Sequence, residues 1–497
     1  MVALQQDLKT KKTDVFDVAT RPMLRPGEYF WLAIAGLSVL VLWGAVSYLY
    51  QLKNGLGVTG LNQQVTWGFY ITDMVFFIGV SYGGAMTSAI LRLTNAPWRA
   101  PLSRMAETMA VMSLMVGGIF PIIDLGRPDR VYYLLLHGQV GSPVVWDVVA
   151  INTYMFAGIV FLYLPMIPDI AMCRDRLGPA ASSFRRALYT RLALGWQNTP
   201  KQRDILEWGT TVVAIIIIPL AVSVHSVLAW LFGVTSRPGW DSTIFAPYFV
   251  VAAMYSGVAT VILVLAFFRW IYHLEEYIER KHFVYLSYIL VALGLGYAYF
   301  LSSEYLTEGY KMHEPGGALL ELMLTGRLAP FFWLFSLGGL IVPILLVAMP
   351  QTRTIAGITV ASLAVVLGMW LKRFLIVIPG LAEPQIASDL TIYWPTMVEV
   401  SITVAAAAAI PLMMLLFFRV FPIISIYEVE EFAFAHPQGL GDDGANPTPH
   451  GTLLGHPQGL GDDADAEHRG RSAFAGDRAF GVEPAFGADT AIGADPE

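Results

Sequence analysis

Ten apolar runs of membrane-crossing length constrain this chain more than any other feature of its sequence. A helix needs about 20 apolar residues to cross a hydrocarbon core of about 30 Å. The runs fall at roughly 29 to 50, 67 to 91, 105 to 123, 144 to 167, 209 to 233, 244 to 272, 283 to 305, 330 to 349, 354 to 378 and 398 to 421. None shows the alternating polarity of a membrane strand, and open strands cannot satisfy their backbone in lipid. Only 14% of the 497 residues are charged, against about 25% in a soluble domain. The expected fold is therefore all-α and polytopic. The weakest spans are the third, which holds Glu107 and ends at Pro121, and the ninth, which Lys372 and Arg373 interrupt near its end.

An even number of spans puts both termini on one side. Placing the N-terminal segment 1 to 28, the C-terminal tail and the loops after spans 2, 4, 6 and 8 on one face gathers 23 of the 31 basic residues there. The other face keeps Lys53, Arg127, Arg130, Arg237, Lys311, Arg327, Lys372 and Arg373. By the positive-inside rule the first face is cytoplasmic. The N-terminus lacks the apolar segment and small-residue site of a cleaved secretory signal, so none is expected.

The loop 168 to 208 contains Leu188, Leu192 and Trp196 at four-residue spacing within a basic stretch. It reads either as an amphipathic helix on the anionic leaflet or as a plain basic loop. Residues 428 to 497 carry a net charge of −11, which leaves +4 for residues 1 to 427. This tail is rich in Gly, Asp, Ala and Pro and repeats HPQGLGDD at His436 and His456. Such a composition cannot bury a core and is expected to be disordered.

Ligand counting limits the chemistry. With one cysteine, Cys173, the chain can supply neither an iron–sulfur cluster, nor an internal disulfide, nor a C-x-x-C-H haem attachment. Of nine histidines only His225 lies within a span, so a bis-histidine di-haem core is excluded on ligand count. No metal is expected on this chain.

Ionisable groups at membrane depth mark pathways or binding sites. In the proposed orientation Asp73 in span 2, Asp147 in span 4, His225 in span 5, Glu304 and Glu399 lie toward the outer surface, and Glu107 toward the cytoplasmic one. In span 2, Trp67, Tyr70, Asp73 or Met74, and Phe77 follow three- and four-residue spacing along one helical face, while Gly79 and Gly83 make a small-residue packing surface. An aromatic face around one carboxylate suits a flat hydroxylated ring, and ordinary packing accounts for the same aromatics. After span 3 comes PIIDLGRPDR. There Asp124 can pair with Arg127 across the Gly126–Pro128 turn, and Asp129 with Arg130; a salt-bridged loop cap is the simpler reading.

The motif DLGRP, following a Gly-rich third helix that ends in FP and preceded by WGFY opening a helix with an internal GxxxG, resembles the NrfD and polysulfide-reductase membrane-subunit family. The resemblance covers residues 25 to 425, and the layout is most like the quinol-oxidising membrane subunit of bacterial alternative complex III. It implies two four-helix bundles, about 67–233 and 244–378, flanked by spans 1 and 10, in a bacterial inner membrane. It implies that the chain binds no cofactor and oxidises a quinol, menaquinol being the expected one, near the periplasmic ends of the first bundle. Electrons then pass to a periplasmic iron–sulfur subunit and on to multihaem c-type cytochromes, beside a paralogous membrane subunit. By position it assigns proton acceptance to His137 and Asp147, with Asp73 as a further acid. Trp67, Tyr70, Asp124, Arg127 and Asp241 are expected to line the site.

A cross-membrane proton route would draw on Glu107, His225, Tyr82, Tyr255 and Tyr288, although scattered hydroxyls occur in any such bundle. Two rivals stand beside this reading: a paralogous structural anchor without a quinol site, and a secondary transporter. Transporters place charges beside interrupted helices at the midplane, whereas the charges here crowd one surface. No nucleic acid partner is expected.

Overall fold

A computed structural model of the chain describes residues 14–24, 26–177, 182–235, 237–311, 316–382 and 393–435. The expected disordered tail beyond residue 435, with its duplicated motif, lies outside them. The described residues contain no strand and carry ten helices long and apolar enough to cross a membrane. We number these in chain order: α1 Glu28–Asn54, α2 Phe69–Leu93, α3 Pro97–Asp124, α4 Pro143–Leu177, α5 Pro200–Gly233, α6 Phe245–Tyr272, α7 Arg280–Lys311, α8 Ala329–Ala348, α9 Ile355–Ala382 and α10 Met397–Phe418.

Each expected run is one of these helices. Helix α5 starts nine residues before its apolar run because Thr199 and Gln202 form a capping box and Pro200 occupies the first turn, the position proline tolerates best. Helix α9 continues unbroken through Lys372 and Arg373, both of which are buried.

Helices α2, α3, α4 and α5 pack as one ring, and α6, α7, α8 and α9 as a second. The rings meet along α2, α5, α6 and α9, while α1 and α10 pair with each other on the flank of α2 and α3. Without a hydrophobic drive between helices in lipid, small residues set the close approaches. A Cβ on Gly83 of α2 would lie 2.4 Å from the Gly257 Cα of α6, and one on Gly339 of α8 would lie 2.5 Å from the Gly368 Cα of α9. Nearly every residue of α2 is buried, the pattern of a helix apolar all round. On α1 only Phe30, Gly44 and Gln51 are buried.

We call the two sides of the molecule the near end, where the helices Val15–Leu24 and Ile426–Ala435 pack together, and the far end. At the near end Arg419 donates to the carbonyls of Pro22 (3.0 Å) and Met23 (2.6 Å). The basic loop forms the helix Ser183–Leu192. Its apolar side turns to protein: Tyr189 is buried and donates to the Val420 carbonyl at 2.7 Å. Residues 428–435, expected to begin the disordered tail, instead extend a helix in which Glu428 and Val429 are buried. Burial alone would raise the Glu428 pKa, but Arg92 and Arg99 overcome it and hold the carboxyl below its ordinary value. A depressed folded-state pKa contributes stability above the unfolded value of about 4.3 and loses it only as pH falls through the folded one.

Candidate functional site

The far end collects polar groups in two places. The first is a knot where α1, α2, α9 and α10 meet. Asp73 is fully buried; its Oδ1 accepts from Trp370 Nε1 at 2.7 Å and its Oδ2 from Thr403 Oγ1 at 2.5 Å. Glu399 Oε2 accepts from the Gly60 amide (2.8 Å), the Thr396 amide (2.9 Å) and the Thr396 hydroxyl (3.2 Å), and Tyr393 donates to Oε1. Tyr70 donates to Gln51 Oε1, and Gln51 Nε2 donates to the Ile123 carbonyl at 3.3 Å. Each oxygen of the Asp73 and Glu399 carboxylates thus has at least one donor from the protein. A buried network satisfied in this way fixes helix positions.

Of the other first-bundle residues, Asp124 turns inward and its Oδ1 is covered without a hydrogen-bond partner. It does not pair with Arg127. Gly126 sits at φ +65°, the left-handed conformation that ends α3, and a Cβ there would meet Leu56 at 2.8 Å. The chain leaves that turn with Arg127 pointing outward. There its guanidinium forks onto Asp129, at 3.2 Å through both Nε and Nη2, and that bond holds the Asp129 carboxyl below its usual range. The expected Asp124–Arg127 pair is therefore replaced by Arg127–Asp129. His137 is exposed, its ring edge-on to Tyr133 at 5.5 Å. Asp147 is buried with Oδ1 unpartnered.

The second place is a partly open cavity of about 230 Å³ at the far end of the second bundle. Its walls are the loop 238–244, the end of α7, the short helix Gly316–Leu324 and the end of α9. Gly239 adopts φ +79° to turn that loop. The loop is pinned by buried Trp240, whose Nε1 donates to the Ile376 carbonyl at 2.7 Å. Trp240 stacks on Trp67 at 5.9 Å and meets Phe232 edge-on at 4.9 Å, so the expected Trp67 backs the cavity wall. Asp241 lines the cavity.

Two charged groups of the lining come from different helices. Lys372 of α9 is 1% exposed, and its Nζ lies 3.5 Å from Glu304 Oε2 and 3.5 Å from the Tyr305 hydroxyl of α7. The ammonium is also held over the rings of Tyr305 (5.2 Å), Tyr248 (5.6 Å) and Phe335 (5.9 Å), an aromatic cage that stabilises a cation where water is scarce. Phe335 belongs to a π-helical stretch of α8, Leu334–Ile341, a distortion that recurs at functional sites. At 3.5 Å the Lys372 contacts are long for charge-assisted bonds, so the ammonium retains donor capacity for a guest. Glu304 is partly exposed toward the cavity, at 17%.

Below the cavity a buried polar series continues between the bundles. The Tyr248 and Tyr297 hydroxyls are 3.0 Å apart, and Tyr255 stacks on Tyr297 at 6.0 Å. His225 packs on Tyr82, with centroids 4.5 Å apart. The Tyr82 and Tyr255 hydroxyls and His225 Nε2 are buried without protein partners, as sites bridged by internal water are. Closer to the near end Glu107 accepts from Ser88 at 2.6 Å and lines a void of about 10 Å³ with Ser81 and Tyr154, room for about one water. Tyr288 is not in this series; it is half-exposed beneath Arg353. Among the described residues no three His, Cys, Asp or Glu side chains are grouped to hold a metal ion.

The model of the family described as polysulphide reductase, NrfD, matches residues 57–385, which take in both bundles and the cavity. The chain belongs to the NrfD family. The NrfD match ends within the segment between α9 and α10, so α1 and α10 lie outside it. Among relatives, a protein of Halobacterium salinarum named as a membrane subunit of a dimethyl sulfoxide reductase is 28% identical over 79% of this chain and 91% of its own length. A protein of Mesobacillus selenatarsenatis named as a subunit of selenate reductase is 28% identical over 70% of this chain and 82% of its own. The Hdr-like menaquinol oxidoreductase integral membrane subunit of Archaeoglobus fulgidus is 25% identical over 72% and 81%. This NrfD chain is thus similar to membrane subunits of several oxidoreductases.

Sequence reasoning noted Glu304, Lys372 and Arg373 as charges near the far end. It did not pair Glu304 with Lys372, because residues 68 apart meet only through helix phase and packing.

Proposed function

We propose that this NrfD-family chain is the quinol-oxidising membrane subunit of an electron-transfer complex, and that the quinol ring enters the far-end cavity. The observation that carries the reading is the caged Lys372 ammonium facing Glu304 in a cavity walled by Trp240. The volume is below the roughly 300–1,000 Å³ of drug-sized pockets. It suits one ring system, with a polyprenyl tail left in lipid. The name of the Archaeoglobus relative supports menaquinol. The basic residues gathered at the near end support a cytoplasmic near end and a periplasmic cavity.

Oxidation of one quinol releases two protons and two electrons. Glu304 takes the proton of the hydroxyl it faces, and the Lys372 ammonium with the Tyr305 hydroxyl stabilises the oxyanion left behind. Asp241 carries the second proton to the far-end surface. The two electrons pass to the iron–sulfur centre of a partner subunit docked on the far-end loops, and from there to c-type haems. His137 and Asp147 do not line this cavity, so the primary acceptor becomes Glu304. The series through Tyr255, His225, Tyr82 and Glu107 is a proton route that leads from the near end toward the cavity.

A fluorescence-quench titration of a quinol-analogue inhibitor against the purified complex tests this. Lys372→Met is expected to weaken saturable binding at least tenfold and Asp147→Asn to leave it within twofold. The reverse ranking returns the site to the first bundle, and no binding by the wild type favours the structural anchor.

A further inference from the structure

The near end of the first bundle carries a buried ionic cluster that neither the cavity nor its chemistry explains. It is assembled from four segments. Arg92 closes α2, Arg99 and Arg104 open α3, Asp169 lies near the end of α4, and Glu428 comes from the helix after the last span. Glu428 pairs with Arg92 through one oxygen and with Arg99 Nη1 at 2.7 Å through the other. Arg104 Nη2 pairs with Asp169 Oδ2 at 2.9 Å, and Asp169 Oδ1 accepts from the Tyr427 amide at 2.9 Å. Two adjacent residues of one short helix are therefore tied to two different parts of the cluster.

The cluster is not closed on itself. Arg104 is 1% exposed, yet its Nε and Nη1 have no protein partner, and the buried Arg92 Nε has none either. Orphaned guanidinium donors are costly to leave dry, and a bridging water is the usual partner of such groups. Glu107 lies within electrostatic reach of Arg92, Arg104 and Glu428. Its other side faces the one-water void shared with Ser81 and Tyr154. Three guanidiniums face three carboxyls, Glu107, Asp169 and Glu428, so the cluster is neutral with Glu107 ionised and +1 with it protonated.

We propose that this cluster is a closed water chamber that supplies protons to Glu107, and that the helix Ile426–Ala435 is its cover, latched by Glu428 across Arg92 and Arg99. Glu428 is a positioning residue: it never meets the quinol, and it acts by holding the cover shut and setting the charge that Glu107 feels. The inference rests on the proton-route half of the proposed function; the latch itself does not.

Cys173 is the only cysteine in the chain, is fully buried, and lies one helical turn beyond Asp169 on α4, so it reports opening at the near end. The experiment uses the complex in liposomes, with a membrane-impermeant maleimide added on the near-end side and proton translocation per quinol oxidised followed in parallel. Wild type is expected to label slowly, Glu428→Gln at least tenfold faster with a lower proton yield, and Glu428→Asp to return both readouts most of the way. Labelling unchanged in Glu428→Gln overturns the latch. Faster labelling with an unchanged proton yield overturns the chamber's role in proton supply while leaving quinol oxidation at the cavity untouched. Should Glu428→Gln fail to assemble, Arg99→Gln breaks the same latch from the other side and is read against the same two outcomes.

Discussion

Replacing Glu304 by Gln is expected to slow quinol oxidation by about 10²- to 10⁴-fold, the span typical of losing one positioned general base. Gln preserves the shape of the side chain and its contact with Lys372 (3.5 Å in the wild type), so binding of a quinol analogue should fall far less than turnover. A loss confined to turnover means that Glu304 acts on the hydroxyl proton in the transition state. A loss of analogue affinity that accounts for the whole effect means that it only shapes the cavity. Steady-state oxidation of a short-chain quinol by the complex, with the fluorescence titration alongside, separates the two. Lys372→Met differs, because it removes the cation that holds the oxyanion and should depress binding and turnover together.

The second large effect concerns the near end. Asp169→Leu is expected to destabilise the chain by about 3–5 kcal/mol, because it leaves the Arg104 guanidinium buried without its counter-charge. Arg104 and Asp169 are 1% and 0% exposed and 2.9 Å apart, so the guanidinium stays buried after the carboxylate it pairs with is gone. The same substitution frees the Tyr427 amide and loosens the helix Ile426–Ala435. The double variant Arg104→Met, Asp169→Leu removes the charge along with its partner and should recover most of the loss. Thermal denaturation in detergent measures both. A single variant as stable as wild type would mean that the pair contributes little.

Helix existence was readable from sequence because a span's signal is local: about 20 apolar residues suffice. Even Lys372 and Arg373 do not break α9, since a helix tolerates any cation that its neighbours can solvate, and at Lys372 the rings of Tyr248, Tyr305 and Phe335 do so. The site was less legible. Asp73 and Glu399 are buried acids near the far end, as their positions implied. That they would accept from Trp370, Thr403, Gly60 and Thr396 depends largely on contacts between residues some three hundred positions apart. The Asp124–Arg127 pairing failed for a local reason. Their spacing allows a pair, but the left-handed Gly126 turns one side chain inward and the other out, where Asp129 is nearer.

The tail boundary was misplaced because composition averages over the window. Ile426, Glu428 and Val429 are buried against the near end, but the Gly- and Asp-rich residues that follow dominate the count. A single buried glutamate on a short helix looks in sequence like the start of an acidic linker. Only its two arginine partners, on α2 and at the start of α3, show that it is part of the fold.

The most direct test of the quinol site is photo-crosslinking of an azido-quinone to the complex, followed by peptide mapping with and without competing quinol. The cavity reading predicts competed crosslinks in the loop 238–244 and in residues 303–311 at the end of α7. Competed crosslinks confined to residues 137–147, with none around Trp240 or Tyr305, would contradict it and restore His137 and Asp147 as the quinol-binding pair.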